Sequence, residues 1–542
     1  MRKEGIASRA FFHCTNIFLI IDRFFFRANF FFPNQSTNGR NMLAVRAAPT
    51  SSSASTPPVG PPTVLRNADF RQGTYRIVNP GLYVLGEDIT FEPDSFTPAG
   101  PTYAGQAYVL GFFAAITIEC DDVVLDLNMH TLQQSKAHRL AQRFFALIEL
   151  AASPFVPTQG PANFGADLHP ARNVWIVNGT LGRSSHHGIH GNNNEHVHVL
   201  NLCVEQFEIA GIALNGVQHA QIEQCRIGPA AKDVPVSAAF SQATFLLPVL
   251  DGLDGAAVLR PGTTVGSVRE DLRAQVDATR ARVLAGQTVQ NSLFFVDGLT
   301  DGTSVGIQIH SPGVAIKAFQ EDWSRGMSSH VSIKDVDIVD LCSKTREVPG
   351  LYREESVEPD VGYSTAPVNT GVFGAVIPAN IVNDGVYQPN ALVDGLFAAY
   401  KFGGKGKIDA ALYDWAMGVP DAPAPSRFVY GMDSMAHAIK GNMSIFLSGC
   451  REFAVENVLV DGNSNKGNGE VRGIMLATCA HGRLKDVTIQ NLTDHCRCGV
   501  EAVGQTAHVV MDACHIRLKQ GPDIVGTGIE QTGAKNLHWR TR

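Results

Sequence analysis

The chain has 542 residues, 44% hydrophobic and 18% charged, with 52 Gly, 28 Pro and 10 Cys. So apolar a chain can bury a substantial core, which excludes global disorder, and ten cysteines over this length exclude a small disulfide scaffold. Net charge is −7; residues 1–41 carry six basic against two acidic side chains, which leaves about −11 for the rest. No basic stripe with interleaved aromatics appears there, so no nucleic-acid partner is expected.

Residues 1–62 read as a leader followed by a linker. Phe11 to Phe32 is apolar, but Asp22, Arg23 and Arg27 interrupt it, and the uncharged run Phe11–Ile21 falls short of the ~20 residues of a membrane span. No membrane span is therefore expected. Met42 offers an alternative start, and APTSSSASTPPVGPP from Ala48 has the composition of a flexible linker.

Residues 63–228 read as an N-terminal cover and the first coils of a repeat. NVWIVNGTL from Asn173, HVHVLNLCV from His196 and HAQIEQCRI from His219 align without gaps, with Ile176, Val199 and Ile222 each 23 residues apart. Gly188-Ile189 and Gly211-Ile212 precede the second and third markers by the same interval. VVLDLNMHTL, Val123–Leu132, matches NVWIVNGTL two periods earlier. Within each unit apolar residues alternate over a few positions and then meet a Gly, Asn or Asp. Such strands are too short to bury a face alone, and stacking them in parallel closes a common interior. Coils of about 23 residues rising ~4.8 Å each predict an all-β, right-handed parallel β-helix.

Two insertions interrupt the solenoid. The first, 229–303, contains an amphipathic helix predicted over 267–285, with Ser267 and Glu270 as a capping box, Val268, Leu272, Val276 and Val283 on one face, and Gly286 as its stop. Coils resume over 304–342 with Ile333, Val336 and Ile338. The second insertion, 343–447, is rich in Gly, Pro and aromatics, and coils return over 448–542. The last coil has no evident cap, so a partner or a second copy in a homo-oligomer is the expected cover.

The coils LDLNMHTL, NVWIVNGTLG and GIALNGVQHAQIEQCRI resemble the pectin-lyase-like superfamily of right-handed parallel β-helices, which includes pectate lyases, polygalacturonases and phage tailspikes. GLYVLGEDITFEP and SSHHGIHGN resemble uncharacterised β-helix proteins of large DNA viruses and algae. The resemblance covers roughly Val64 to Trp539 apart from the insertions, and it implies an architecture more than a chemistry. The polygalacturonase elements are incomplete: Asn178-Gly179-Thr180 lacks the Asp, Gly188-Ile189-His190-Gly191 only approximates GHG, and Arg226-Ile227-Gly228 lacks the Lys. Pectate-lyase-like elements are absent after Asp335, Asp337 and Asp340.

Three kinds of site remain to be read from the residues. Glycosidases need two acids ~5–9 Å apart, and adjacent coils can supply them; the candidates are Glu205 and Glu208, and Asp335, Asp337 and Asp340. Their alternative role is that of solvated turn and edge residues. Stacking places His198 between Trp175 and Gln221 on the outer surface, where Trp175 could carry a sugar ring and Asn192 and Asn193 its hydroxyls. The asparagines equally suit turns and inter-coil amide ladders. His186, His187, His190 and His196 are candidate ligands for Zn²⁺, and an acidic set for Ca²⁺, although no spacing matches a known metal signature and no cofactor is assured. Ten cysteines without a framework suit assembly in a reducing compartment.

The expected function is a β-helix presenting a surface for a polysaccharide or glycoconjugate, as a virion or extracellular component. The alternatives are a polysaccharide lyase or glycoside hydrolase of this fold, and a purely structural surface protein.

Overall fold

The structure, a computed structural model, describes residues 60–94, 114–150 except 144, 170–231, 304–310, 328–343, 442–465, 470–532 and 539–540 of the solenoid. In the insertions it describes 244, 247, 255–256, 258–260, 263–287 and the short strand pieces 368–369, 376–377, 382–383 and 386–387. The chain divides into two units. One comprises Asp22–Lys232, Thr303–Ser343 and Gly441–Arg542; the other contains Asp233–Gly302 and Lys344–Lys440.

The first of these is a parallel β-helix. The chain shuttles between two long sheets and pairs in parallel with the preceding and following coil at every step. Arg172–Leu181, Glu195–Val204, Gln218–Ile227, Ser328–Val339 and Cys450–Asp461 are successive rungs of the first sheet. His187–His190, Ala210–Asn215, Val305–His310, Met443–Ser448 and Val471–Ala477 are successive rungs of the second. Parallel strands joined by crossovers within one sheet take the right-handed sense. This is the predicted right-handed parallel β-helix.

Alternation builds the core in columns. Leu125, Ile176, Val199, Ile222, Ile333, Val455, Leu484 and Met511 follow one another in register, all buried. A second column runs through Leu181, Val204, Ile227, Ile338, Val460 and Ile489. The Gly-Ile pairs acquire a reason here. Ile189, Ile212, Ile307, Ile445 and Ile474 line the inner face of the second sheet, and the glycine before most of them makes room for the opposite column. A Cβ on Gly211 would lie 2.7 Å from Ile227 Cγ2, and one on Gly306 would lie 2.5 Å from the carbonyl oxygen of Ser444. Cys225 and Cys514 share one inward slot with Val336, Val458 and Val487, and all are buried.

Corners between faces are made by residues in the left-handed region. Asp122, Asn173, His196, His219, His330, Glu452, His481 and His508 stand at equivalent rungs with φ between 51° and 59°. Asn178, Asn201, Gln224, Asp335, Asn457, Asp486 and Ala513 form a second such column, φ 50° to 54°. It bends each long strand, so Cys450–Asp461 pairs with both Ala480–Lys485 and Thr488–Gln490. The amides of the second column join coil to coil: Asn201 Nδ2 donates to Asn178 Oδ1 at 2.9 Å, and Asn457 Nδ2 to Asp335 Oδ1 at 2.6 Å. Asn and Asp tolerate this conformation best among non-glycine residues.

Four expectations are corrected. Val123–Asp126 pairs directly with Arg172–Leu181, so it lies one coil before it, not two; helix Lys136–Ala141 lies within that coil, and Leu125 and Ile176 stand 51 residues apart. The coil length of 23 holds from Ile176 to Ile222 but becomes 29 from Val455 to Leu484 and 27 from Leu484 to Met511. Met443–Leu447, assigned to the second insertion, belongs to Met443–Ser448, a full rung of the second sheet. The helix is Val265–Leu284, capped by Thr264, whose side chain accepts from Ser267 N while Ser267 Oγ accepts from Thr264 N. The box thus sits three residues earlier, because Thr264 already has the extended conformation that an N-cap needs.

In the second unit Leu272, Val276 and Thr279 are buried positions of that helix, and Gly286, φ 69°, follows its end. Val258–Arg260 and Thr263–Thr264 form a small antiparallel ladder beside it in sequence. No helix among the described residues is long and apolar enough to cross a membrane.

Candidate functional site

The first corner column brings imidazoles together. His196 and His219 stack with centroids 4.6 Å apart and planes 6° from parallel; His219 and His330 follow at 4.5 Å and 26°. His481 and His508 stack again at 5.1 Å and 10°. These separations are essentially the spacing between strands, so the stack is imposed by the ladder. His219, His330, His481 and His508 are exposed, and His196 is half-buried. Glu452 takes the next rung and receives His330 Nε2 at 2.6 Å on its Oε2. Burial lowers the pKa of His219, and the like charges of His196 and His330 lower it further, against Glu195 and Glu452.

Trp175, His198 and Gln221 occupy successive rungs of the neighbouring outward row. The indole and imidazole stack at 3.8 Å and 12°, and His198 Nδ1 lies 3.0 Å from Gln221 Oε1. Both rings are buried, at 7% and 8% exposure, so His198 already covers one face of the indole. Burial holds the imidazole neutral, with its pKa down at about 4, and its Nε2 has no hydrogen-bond partner among the described residues.

The candidate acids do not converge. Asp335 is a corner residue held by Asn457, and Asp340 is a corner residue with φ 51° in register with Gly462. Asp337 is half-buried between Arg226 and Leu459 in the ladder, on the outward side of buried Val336 and Ile338. Glu205 is half-buried at the end of its strand, its N–H donating to Leu181 O. Glu208 turns inward instead: its carboxylate is buried and receives Arg139 Nε at 2.5 Å and both Arg143 Nη groups. Burial alone would raise its pKa, but the two guanidiniums win and hold it lowered.

Of the four histidines named as metal ligands, three come together. His186 Nδ1 lies 3.2 Å from His187 Nδ1, the rings of His187 and His190 stack at 5.0 Å, and His190 Nδ1 makes a short contact with Glu149 Oε2. His196 belongs to the corner stack. Among the described residues no group of three or more His, Cys, Asp or Glu is arranged to hold a metal ion. Burial pushes His186 down to about 3 and His187 and His190 well below the ordinary value, while it raises Glu149 well above its own. Glu149 and His190 therefore share one proton in a neutral pair. Glu149 Oε1 is buried without a partner among the described residues. Asn192 is buried and its Oδ1 accepts from Asn215 Nδ2 at 3.0 Å, whereas Asn193 is exposed with φ 52°.

Sequence reasoning missed Glu149, Arg139 and Arg143. Glu149 is the single charged residue between Arg143 and Asp167, in the apolar run FFALIELAA; a lone carboxyl in an otherwise buried strand was the available signal. It also missed His330, His481 and His508, which insertions and longer coils remove from the 23-residue period.

No protein-family model matches the chain, and no curated protein matches it. Among solved structures, the A-module of mannuronan C-5 epimerase AlgE6 of Azotobacter vinelandii aligns over 84% of this chain and 92% of its own, at 9% identity and a TM-score of 0.21. The A-module of AlgE4 of the same organism aligns over 85% and 91%, at 8% identity and a TM-score of 0.14. At these values neither likeness bears on function, and the β-helix assignment stands on the strand ladder of this chain.

Proposed function

We propose that this chain is a polysaccharide-recognition protein whose binding surface runs along the exposed corner column. One observation carries the reading: chemically alike side chains, His196, His219 and His330, are repeated at one-coil intervals on an exposed edge. A rigid one-dimensional array of equivalent hydrogen-bonding groups is matched to a ligand that itself repeats, since each further unit of a polymer adds a contact without new ordering cost in the protein. The test is retention of the purified protein on beads carrying a panel of polysaccharides, run beside a reducing-end and unsaturated-product assay with and without Ca²⁺. Retention without product release is the expected result; no retention on any polysaccharide overturns the reading.

A further inference from the structure

We propose that the ladder His196–His219–His330 binds the anionic groups of an acidic polysaccharide and takes up protons from solvent as it does so. This rests on the polysaccharide reading above and specifies its ligand. Three imidazoles stacked at 4.6 and 4.5 Å would set cations against one another at strand spacing wherever neighbours are protonated together. An anion laid along the exposed edges removes that opposition, so binding and protonation reinforce each other.

Charged side chains flank both ends of the stack, and His481 takes the rung beyond Glu452. Glu195 flanks His196 and pairs with Arg172 at 3.4 Å; Glu452 holds His330 Nε2 at 2.6 Å; Arg451 stands beside Glu452 in the rung of Ser329. His330 Nδ1 lies 3.0 Å from Ser329 Oγ. Glu452 thus already acts as a built-in anion at one end of the stack, and an incoming carboxylate or sulfate must compete with it. A polyphosphate chain is disfavoured as the ligand, because the body outside residues 1–41 carries about −11 and repels a dense polyanion. A polysaccharide with sparse charge meets less repulsion.

The probe is carboxymethyl-dextran, with unsubstituted dextran and other neutral polysaccharides as controls, at about pH 5.5 and about pH 7.5, on either side of the ordinary imidazole value of about 6.5. Asn173 occupies the same column in the same conformation, so His219→Asn and His330→Asn preserve the corner. Affinity for carboxymethyl-dextran should rise about tenfold per pH unit for each proton taken up as pH falls. His219→Asn and His330→Asn should each abolish most of that rise, and Glu452→Gln should tighten binding several-fold at pH 7.5. A pH-dependent gain that survives both histidine changes would report only the protein passing its isoelectric point of about 6.2 and would overturn the inference, as would weaker binding by Glu452→Gln or equal binding of a DNA duplex. Retention of neutral polysaccharides with no preference for the charged one would sink this inference and leave the polysaccharide reading standing. Retention of none would sink both.

Discussion

Acidification should unfold this β-helix steeply, and the slope follows from named groups. His187, His190 and His198 are at least nine-tenths buried and held neutral, His198 with a pKa of about 4 and the other two well below the usual value. In the unfolded chain each regains a value of about 6.5. Above that pH both states are neutral and nothing is lost; below it the unfolded state binds protons that the folded state refuses, so stability falls as pH falls. Glu149 acts oppositely. Its raised folded pKa stabilises the protein fully below about 4.5, and that contribution is lost as pH rises through the raised value. Between about pH 4.5 and 6.5, unfolding therefore takes up three protons and releases one. At ~1.36 kcal/mol per proton and pH unit the loss is about 2.7 kcal/mol per unit, before any share from half-buried His186. Against a total stability of about 5–15 kcal/mol, two units remove about 5.4 kcal/mol, about a third of the upper figure and all of the lower one. Equilibrium denaturant unfolding at intervals between pH 7 and 5 measures the slope directly. A flat profile, or stability rising toward pH 5, would refute the neutral burial of these histidines.

Gly306→Ala should destabilise by about 1–3 kcal/mol, the usual cost of overpacking, because its Cβ meets the backbone oxygen of Ser444 at 2.5 Å; denaturant midpoints of variant and parent decide it. Glu208→Gln leaves Arg139 and Arg143 buried beside an amide and should cost about 3–5 kcal/mol, as removal of one partner from a buried ion pair does; a stability change below 1 kcal/mol would contradict the clamp. Asn201→Ala removes one rung of the corner amide ladder and should cost about 0.5–1.5 kcal/mol, read by thermal unfolding, with no change in polysaccharide retention.

Much of the architecture was legible because three coils, marked by Ile176, Val199 and Ile222, repeat without an insertion, and an unbroken period exposes the inward slots directly. Legibility ended where the chain departs from that period. The coil containing Val123 holds a helix, and its 51-residue length imitates two periods. Met443–Ser448 reads as MSIFLS, a short run with Ser444 where its neighbours carry glycine, and nothing local separates it from the insertion before it. The site was legible in pairs and illegible as a column. His196 beside His219 and His198 beside Trp175 follow from the 23-residue shift, whereas His330 reaches the same corner only after an insertion of unpredictable length. Burial was the other hidden quantity. Glu205 and Glu208 look alike in sequence, but only Glu208 meets two arginines, both contributed by a segment some 65 residues upstream.

The most direct test of polysaccharide recognition along the corner column is a crystal structure of the protein soaked with a short acidic oligosaccharide at about pH 5.5, below the ordinary imidazole value of about 6.5. Sugar density running across the coils, with its carboxylates against the edges of His196, His219 and His330, is the predicted result. Density lodged elsewhere, with the stack free of sugar, would contradict it.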